Sequence, residues 1–234
     1  MILAPGTSPK NYNIRKIGSR LVQLLEIRRQ VSYWGKLTSI LGVADTGIAL
    51  RSLPPGAEAW FAIPRWQCFA PTYGQALKIL LNIFSRLYPG VFHNWRNEWQ
   101  EAQFPPKYFR QHSKNIEAFN IIKGQQRGCD ILVIACQFGL KHVGESAEKC
   151  QCLSFPVFPL DPFTVVCKLL LYPFCFKDRN ALWIDCPGVE CSERGNGDFL
   201  LTPYIGFDDG KVVLGTHYNR YQNDFCGPAT GILV

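Results

Sequence analysis

The residues with the clearest chemical potential are a cysteine and a histidine that follow one apolar segment. Residues 130–136 form a continuous β-rich run, typical of a central strand covered on both faces, and Cys136 ends it. His142 follows in a polar loop. Since α/β sheets place reactive groups at the carboxyl ends of strands, His142 would activate the Cys136 thiol, and Asp185, ending another predicted strand, would orient the imidazole. The pattern supports a cysteine-dependent hydrolase or transferase. The alternative is a core cysteine and a surface histidine.

Four other cysteines form two close pairs with spacing that suits metal ligation. Cys150 and Cys152 are one pair, and Cys186 and Cys191 are the other. A structural zinc site uses four such ligands, usually as two pairs. Neither pair has the Cys-x-x-Cys spacing, so the competing interpretation is four thiols without metal.

The chain has ten cysteines, and their chemistry depends on the redox compartment. The first residues lack the cationic start and apolar run of a secretory signal, which favours a cytoplasmic protein with reduced thiols, mostly buried as small apolar side chains. The longest apolar segments, 131–135 and 163–176, are too short for a transmembrane helix, so we expect no integral membrane segment. Phosphate-loop, dinucleotide-binding, metalloprotease and nucleophile-elbow motifs are absent, which excludes the enzyme classes that need them.

Positive charge is concentrated near the N terminus. Residues 1–36 have seven basic side chains and one acidic, a net +6, whereas the other 198 residues have 18 basic and 17 acidic, a net +1. Such a concentration attracts an acidic partner. The side chains that we expect to make this contact are Arg15, Lys16, Arg20, Arg28 and Arg29.

The same segment has helical periodicity. The apolar residues that form its predicted stripe are Ile14, Ile17, Leu21, Leu24 and Val31. The leading hypothesis is a non-enzymatic binding protein that engages nucleic acid, or a protein partner that handles nucleic acid, through this helix. A protein–protein interaction or inhibitory module without chemistry would use the stripe itself. The remaining alternatives are an anionic membrane surface and a helix that simply covers its own core.

Two further features bear on partners. Trp95 and Trp99 are one helical turn apart beside Arg96, and if exposed they would stack on bases or clamp a peptide; otherwise they are core aromatics. Residues 178–210 have seven acidic side chains against two arginines, a net −5. These acids suit Mg²⁺ or Ca²⁺, turn positions, or neutralisation of the basic helix within the fold.

The elements that position these residues predict an α+β fold: a mixed β-sheet with hairpin-linked strands, about seven strands in all, about four helices and an N-terminal basic amphipathic helix. We expect residues 1–36 to be a helical segment and residues 37–234 a single globular domain. The predicted strands are 36–43, 48–53 and 58–63, as an antiparallel meander, then 130–136, 181–186, and a hairpin of 204–207 with 211–216. The predicted helices follow Thr72, cover about 105–124, and begin at Asp161.

Overall fold

The α+β fold is confirmed by the structure, a computed structural model that describes residues 20–39, 42, 46–94, 106–173 and 182–234. The helices in these ranges are α1 (Arg20–Thr38), α2 (Tyr73–Leu87), α3 (Ser113–Gln125), α4 (Ala147–Cys152) and α5 (Pro162–Leu171). The strands are β1 (Ala59–Pro64), β2 (Phe92–Asn94), β3 (Phe109–Gln111), β4 (Ile131–Phe138), β5 (Val157–Pro159), β6 (Trp183–Asp185), β7 (Val189–Cys191), β8 (Leu201–Asp208), β9 (Lys211–Tyr218) and β10 (Cys226–Ile232).

The strands form one mixed sheet in which β4 is an inner strand. It pairs antiparallel with β1 on one side and with β10 on the other. The order continues from β10 to β6, β8, β7 and β3, while β9 and β2 extend from β8, and β5 pairs with β10. Only β10 with β6 and β2 with β9 are parallel. Every residue of β4 is buried, which explains why its sequence is continuously apolar.

Several predicted elements are confirmed. The hairpin of β8 and β9 turns at Asp209 and Gly210, whose successive positive φ angles of 43° and 77° suit the right-handed twist of the two strands. Thr72 caps α2 by accepting a hydrogen bond from the Gln75 amide. Asp161 caps α5 in the same way, with 2.8 Å between its Oδ1 and the Thr164 amide nitrogen.

The predicted N-terminal meander is wrong. Residues 36–38 are the last turn of α1, and Thr46–Leu50 is a 3-10 turn that packs beneath α1. Of the three predicted strands only β1 forms, and its partner is β4. Short apolar runs do not distinguish a strand from a turn held by tertiary packing.

The helix predicted from about 105 begins later, at Ser113. The residues before it form β3, which pairs with β7, and the His112 ring nitrogen Nδ1 caps the helix by accepting from the Lys114 amide. Helix α1 extends past residue 36 to Thr38, and its Ile27 and Trp34 belong to the common hydrophobic core.

The buried carboxylate of Glu58, just before β1, makes stability depend on pH. Its Oε1 accepts a hydrogen bond of 3.0 Å from the Phe138 amide, and burial raises its pKa to about 7 from the ordinary 4.5. Between pH 4.5 and 7 the folded protein therefore holds a proton on Glu58 that the unfolded chain releases, so the contribution of Glu58 to stability is fully present below pH 4.5 and is lost as the pH rises through 7.

We expect Glu58→Gln to weaken this dependence, because an amide cannot ionise. At pH 8 the variant is expected to be more stable than the wild type by about 1–3 kcal/mol, and near pH 4.5 the difference should disappear. Urea unfolding across this pH range measures the difference in stability. The control variant is Glu117→Gln, because Glu117 is exposed on α3. Parallel profiles for wild type and Glu58→Gln would contradict the prediction. Asp161, whose pKa burial raises to about 6, contributes in the same direction in all three proteins.

Candidate functional site

One face of α1 is fixed to the sheet by polar side chains as well as apolar ones. Its buried residues are Gln23, Ile27, Gln30 and Trp34. Trp34 Nε1 donates to the Ala62 carbonyl at 2.5 Å, and the Ala62 amide donates to Gln30 Oε1 at 2.7 Å. Because β1 is an edge strand of the sheet, these bonds satisfy main-chain groups that would otherwise lack partners. They also fix the rotation of α1 about its own axis.

A second contact joins α1 to Tyr172, at the end of α5. Gln30 Nε2 donates to the Tyr172 hydroxyl at 3.0 Å, and that hydroxyl donates to Glu26. The two Arg29 nitrogens hold the Glu26 carboxylate at 2.6 and 3.0 Å. Burial opposes ionisation of Glu26, but the hydrogen bonds from Arg29, Tyr172 and Gln30 outweigh it and lower its pKa. The one acidic charge of α1 is therefore engaged within this network.

The opposite side of α1 combines apolar and basic side chains. We call it the α1 outer face and define it by Leu21, Val22, Leu25, Arg28 and Lys36, all exposed. Leu21, Val22 and Leu25 are 66%, 40% and 54% exposed.

Of the predicted apolar stripe, Leu21 faces outward, while Leu24 and Val31 are half-buried. Gln30 occupies the inner face because its side chain bonds to β1 and to Tyr172, which a count of apolar residues does not reveal.

Several predicted binding residues lie outside the described part of the chain. Arg15, Lys16, Trp95 and Trp99 are among them, and of Arg20 the structure describes only its place at the start of α1. Arg28 and Arg29 are exposed. Within the described ranges, no ion pair joins α1 to the acidic residues after 177, whose ion-pair partners are Arg110 for Glu190 and His217 for Asp185.

The structure does not bring Cys136 and His142 together. Cys136 is fully buried, and burial, with a smaller effect of Glu58, raises its pKa well above the ordinary value. Side chains alternate along a strand, so Gln137 lies on the face opposite to Cys136. Gln137 Nε2 donates to Thr230 Oγ1 at 2.8 Å, and the same hydroxyl lies 3.4 Å from His142 Nε2. His142 is therefore on the Gln137 side of the sheet.

His142 instead belongs to a compact group with Glu145 and Cys150, which we call the His142 group. Its Nδ1 lies 2.7 Å from Glu145 Oε2, and Lys149 donates to Glu145 Oε1 at 2.6 Å. The three candidate ligand atoms lie within 4.8 Å of one another. Burial, reinforced by the Glu145 charge, raises the pKa of Cys150 to about 12, so this thiol is not an activated nucleophile.

Asp185 belongs to a second group, with His217 and Cys226, which we call the Asp185 group. The residues stand at the ends of β6 and β9 and at the start of β10, and their candidate ligand atoms lie within 4.8 Å of one another. His217 Nε2 is 3.1 Å from Asp185 Oδ1. Burial raises the pKa of Asp185, and burial with the nearby Asp185 charge raises that of Cys226 to about 12.

The four cysteines proposed as zinc ligands do not form one group. Cys150 lies in the His142 group, Cys152 is exposed, and Cys186 and Cys191 are buried. The described residues offer two groups that could hold a metal, the His142 group and the Asp185 group. Sequence spacing missed the second because its three ligands come from strands far apart in the chain.

No helix in the described ranges combines the length and apolar character needed to cross a membrane. No protein-family model, curated protein or solved structure matches this chain.

Proposed function

We propose that this chain is a binding protein whose α1 outer face engages an acidic, partly apolar segment of a partner protein. The observation that carries the proposal is the way α1 is held. Trp34 donates a hydrogen bond to β1 and Gln30 accepts one from it, and these bonds fix the helix so that basic and apolar side chains together face solvent.

The charge of α1 favours an acidic partner. The helix has four basic residues and one acidic residue, Glu26, which Arg29 already neutralises. Arg28 and Lys36 have no ion-pair partner among the described residues. Exposed ion pairs contribute only about 0.2–1 kcal/mol each, so these charges would mainly speed association and select acidic partners.

The exposed apolar residues favour a protein over nucleic acid. Leu21, Val22 and Leu25 would each contribute about 1–2 kcal/mol if a partner buried them fully. Phosphate groups, the main sequence-independent contact surface of nucleic acid, offer no apolar surface to such side chains. A helix or extended segment with leucines and carboxylates offers both kinds of contact. Nucleic acid remains the competing hypothesis, supported by charge alone.

Fluorescence anisotropy with defined probes tests the proposal. The probes are a labelled amphipathic helical peptide of glutamates and leucines, a peptide with the leucines replaced by serine, and single- and double-stranded oligonucleotides. We expect the leucine-containing peptide to bind best and Leu25→Asp or Arg28→Glu to weaken that binding about tenfold or more, equivalent to about 1.4 kcal/mol.

The matched controls lie on α2, where Ile79 and Lys78 are exposed. Ile79→Asp and Lys78→Glu add the same charges away from α1 and should leave peptide binding unchanged. Equal weakening by the control variants would contradict the proposal. Oligonucleotide binding that falls steeply with salt and does not respond to Leu25→Asp would assign the face to nucleic acid instead.

A further inference from the structure

We infer that Asp185, His217 and Cys226 form a binding site for one zinc ion. This inference does not depend on the role proposed for α1, since it concerns different elements: β6, β9 and β10.

Several buried polar atoms in and beside the Asp185 group lack a hydrogen-bond partner among the described residues. Asp185 is completely buried, and among the described residues neither of its carboxylate oxygens accepts a well-aligned hydrogen bond, although His217 Nε2 lies 3.1 Å from Oδ1. His217 Nε2 also lacks one, as does the hydroxyl of Thr202, which is paired with His217 across β8 and β9. A buried carboxylate without hydrogen bonds is strongly disfavoured unless a cation or a proton neutralises it. A bound cation would supply the missing partner for these atoms.

The candidate ligand atoms of the Asp185 group also lie close to one another. His217 Nε2 and Asp185 Oδ1 are 3.1 Å apart but are not aligned as a hydrogen bond. In a catalytic relay, the carboxylate would form a hydrogen bond with one nitrogen of the imidazole ring and the thiol with the other nitrogen. Here one ligand atom from each of Asp185, His217 and Cys226 lies within 4.8 Å of the other two. Such mutual proximity allows all three residues to bind one ion.

The distances suit zinc. Zinc bonds of about 2.0–2.3 Å at tetrahedral angles place ligand atoms roughly 3.3–3.8 Å apart. With 3.1 Å between His217 Nε2 and Asp185 Oδ1, and with all three candidate ligand atoms within 4.8 Å of one another, the Asp185 group would need only small adjustments around the ion. A mixed set of oxygen, nitrogen and sulfur ligands is typical of zinc among the common divalent metals.

The His142 group provides an internal comparison with the same three kinds of ligand atom, a carboxylate oxygen, an imidazole nitrogen and a thiol sulfur. There, His142 Nδ1 contacts Glu145 at 2.7 Å, and Glu145 also accepts from Lys149 at 2.6 Å. Its polar side-chain atoms are not among the unpartnered ones. Hydrogen bonds already satisfy this group, whereas the Asp185 group lacks them, so only the latter calls for an ion.

Binding would proceed by proton release. The Cys226 thiol would lose its proton to solvent as sulfur bonds to Zn²⁺, and Asp185 and neutral His217 would each donate one lone pair. The ion would join the ends of β6 and β9 to the start of β10. Three protein ligands leave one tetrahedral position for water or another ligand.

Metal analysis of untagged protein from zinc-supplemented medium tests the inference. After dialysis we expect about one zinc per chain by mass spectrometry. Replacing it with Co²⁺ should give the visible absorption of a tetrahedral site and a sulfur-to-cobalt charge-transfer band. His217→Gln and Cys226→Ser should lose the zinc and the band, whereas the matched variants His142→Gln and Cys150→Ser should keep both.

Wild-type measurements decide the question even if a variant fails to fold. A chelator should lower the melting temperature of the wild type, and added zinc should restore it. Wild-type protein with no zinc above background and no cobalt charge-transfer band would overturn the inference. Zinc that survives Cys226→Ser but is lost in a folded Cys150→Ser variant would also overturn it, since the ion would then belong to the His142 group.

Discussion

Gly227→Ala is expected to lower the free energy of unfolding by about 3 kcal/mol or more, near or beyond the upper end of the usual cost of overpacking. A Cβ atom at Gly227 would overlap the carbonyl oxygen of Gly139 and lie 2.8 Å from its carbonyl carbon. Both are main-chain atoms, so no side chain can rotate away. The backbone of β10 or of the loop after β4 must move instead.

The matched control is Gly124→Ala, also a single added methyl group. Gly124 lies in α3, and a Cβ there meets nothing within 4 Å. Alanine is the better helix former, so this variant should gain about 0.5–1 kcal/mol. Urea unfolding of both variants measures the difference. A Gly227→Ala protein within about 0.5 kcal/mol of the wild type would show that the close approach of β10 to Gly139 is not required.

Trp34→Ala is expected to have the second large effect, because it removes the main attachment of α1. Trp34 is fully buried, and truncating a buried tryptophan typically costs about 3–5 kcal/mol. The Ala62 carbonyl would also lose its donor. Trp34→Phe separates the two effects, since it keeps most of the buried area and removes only the N–H group, with an expected cost of about 1–3 kcal/mol.

Chemical denaturation and amide hydrogen exchange of α1 measure this prediction. Ser32→Ala is the control, because Ser32 is exposed on the same helix. It should change stability by less than about 0.5 kcal/mol. If Trp34→Ala costs less than about 1 kcal/mol and leaves exchange in α1 unchanged, the helix is held by other contacts, and its outer face has no fixed direction.

The fold was predictable wherever local chemistry and tertiary packing agree. The apolar run of β4, the turn at Asp209 and Gly210, and the cap at Asp161 all carry sequence signals strong enough to determine the local structure. The region around Thr46–Leu50 was not predictable, because it forms a 3-10 turn that packs against α1 rather than a strand of the sheet.

The candidate sites were only partly predictable. The net charge of the N-terminal segment drew attention to α1, but which of its faces is buried was not predictable, because that depends on the hydrogen bond between Gln30 and the edge of β1. Asp185 was predicted to share a site with Cys136 and His142. Its contacts, His217 and Cys226, come from β9 and β10, and only the pairing of strands distant in sequence brings them together.

The binding role of the α1 outer face is tested most directly by methyl NMR of the wild-type protein during titration with the glutamate–leucine peptide. We predict that the methyl signals of Leu21, Val22 and Leu25 shift with a common dissociation constant, while those of Ile79 on α2 do not. Shifts that spare these three residues and fall elsewhere, or no shift at all at millimolar peptide, would contradict the proposed function.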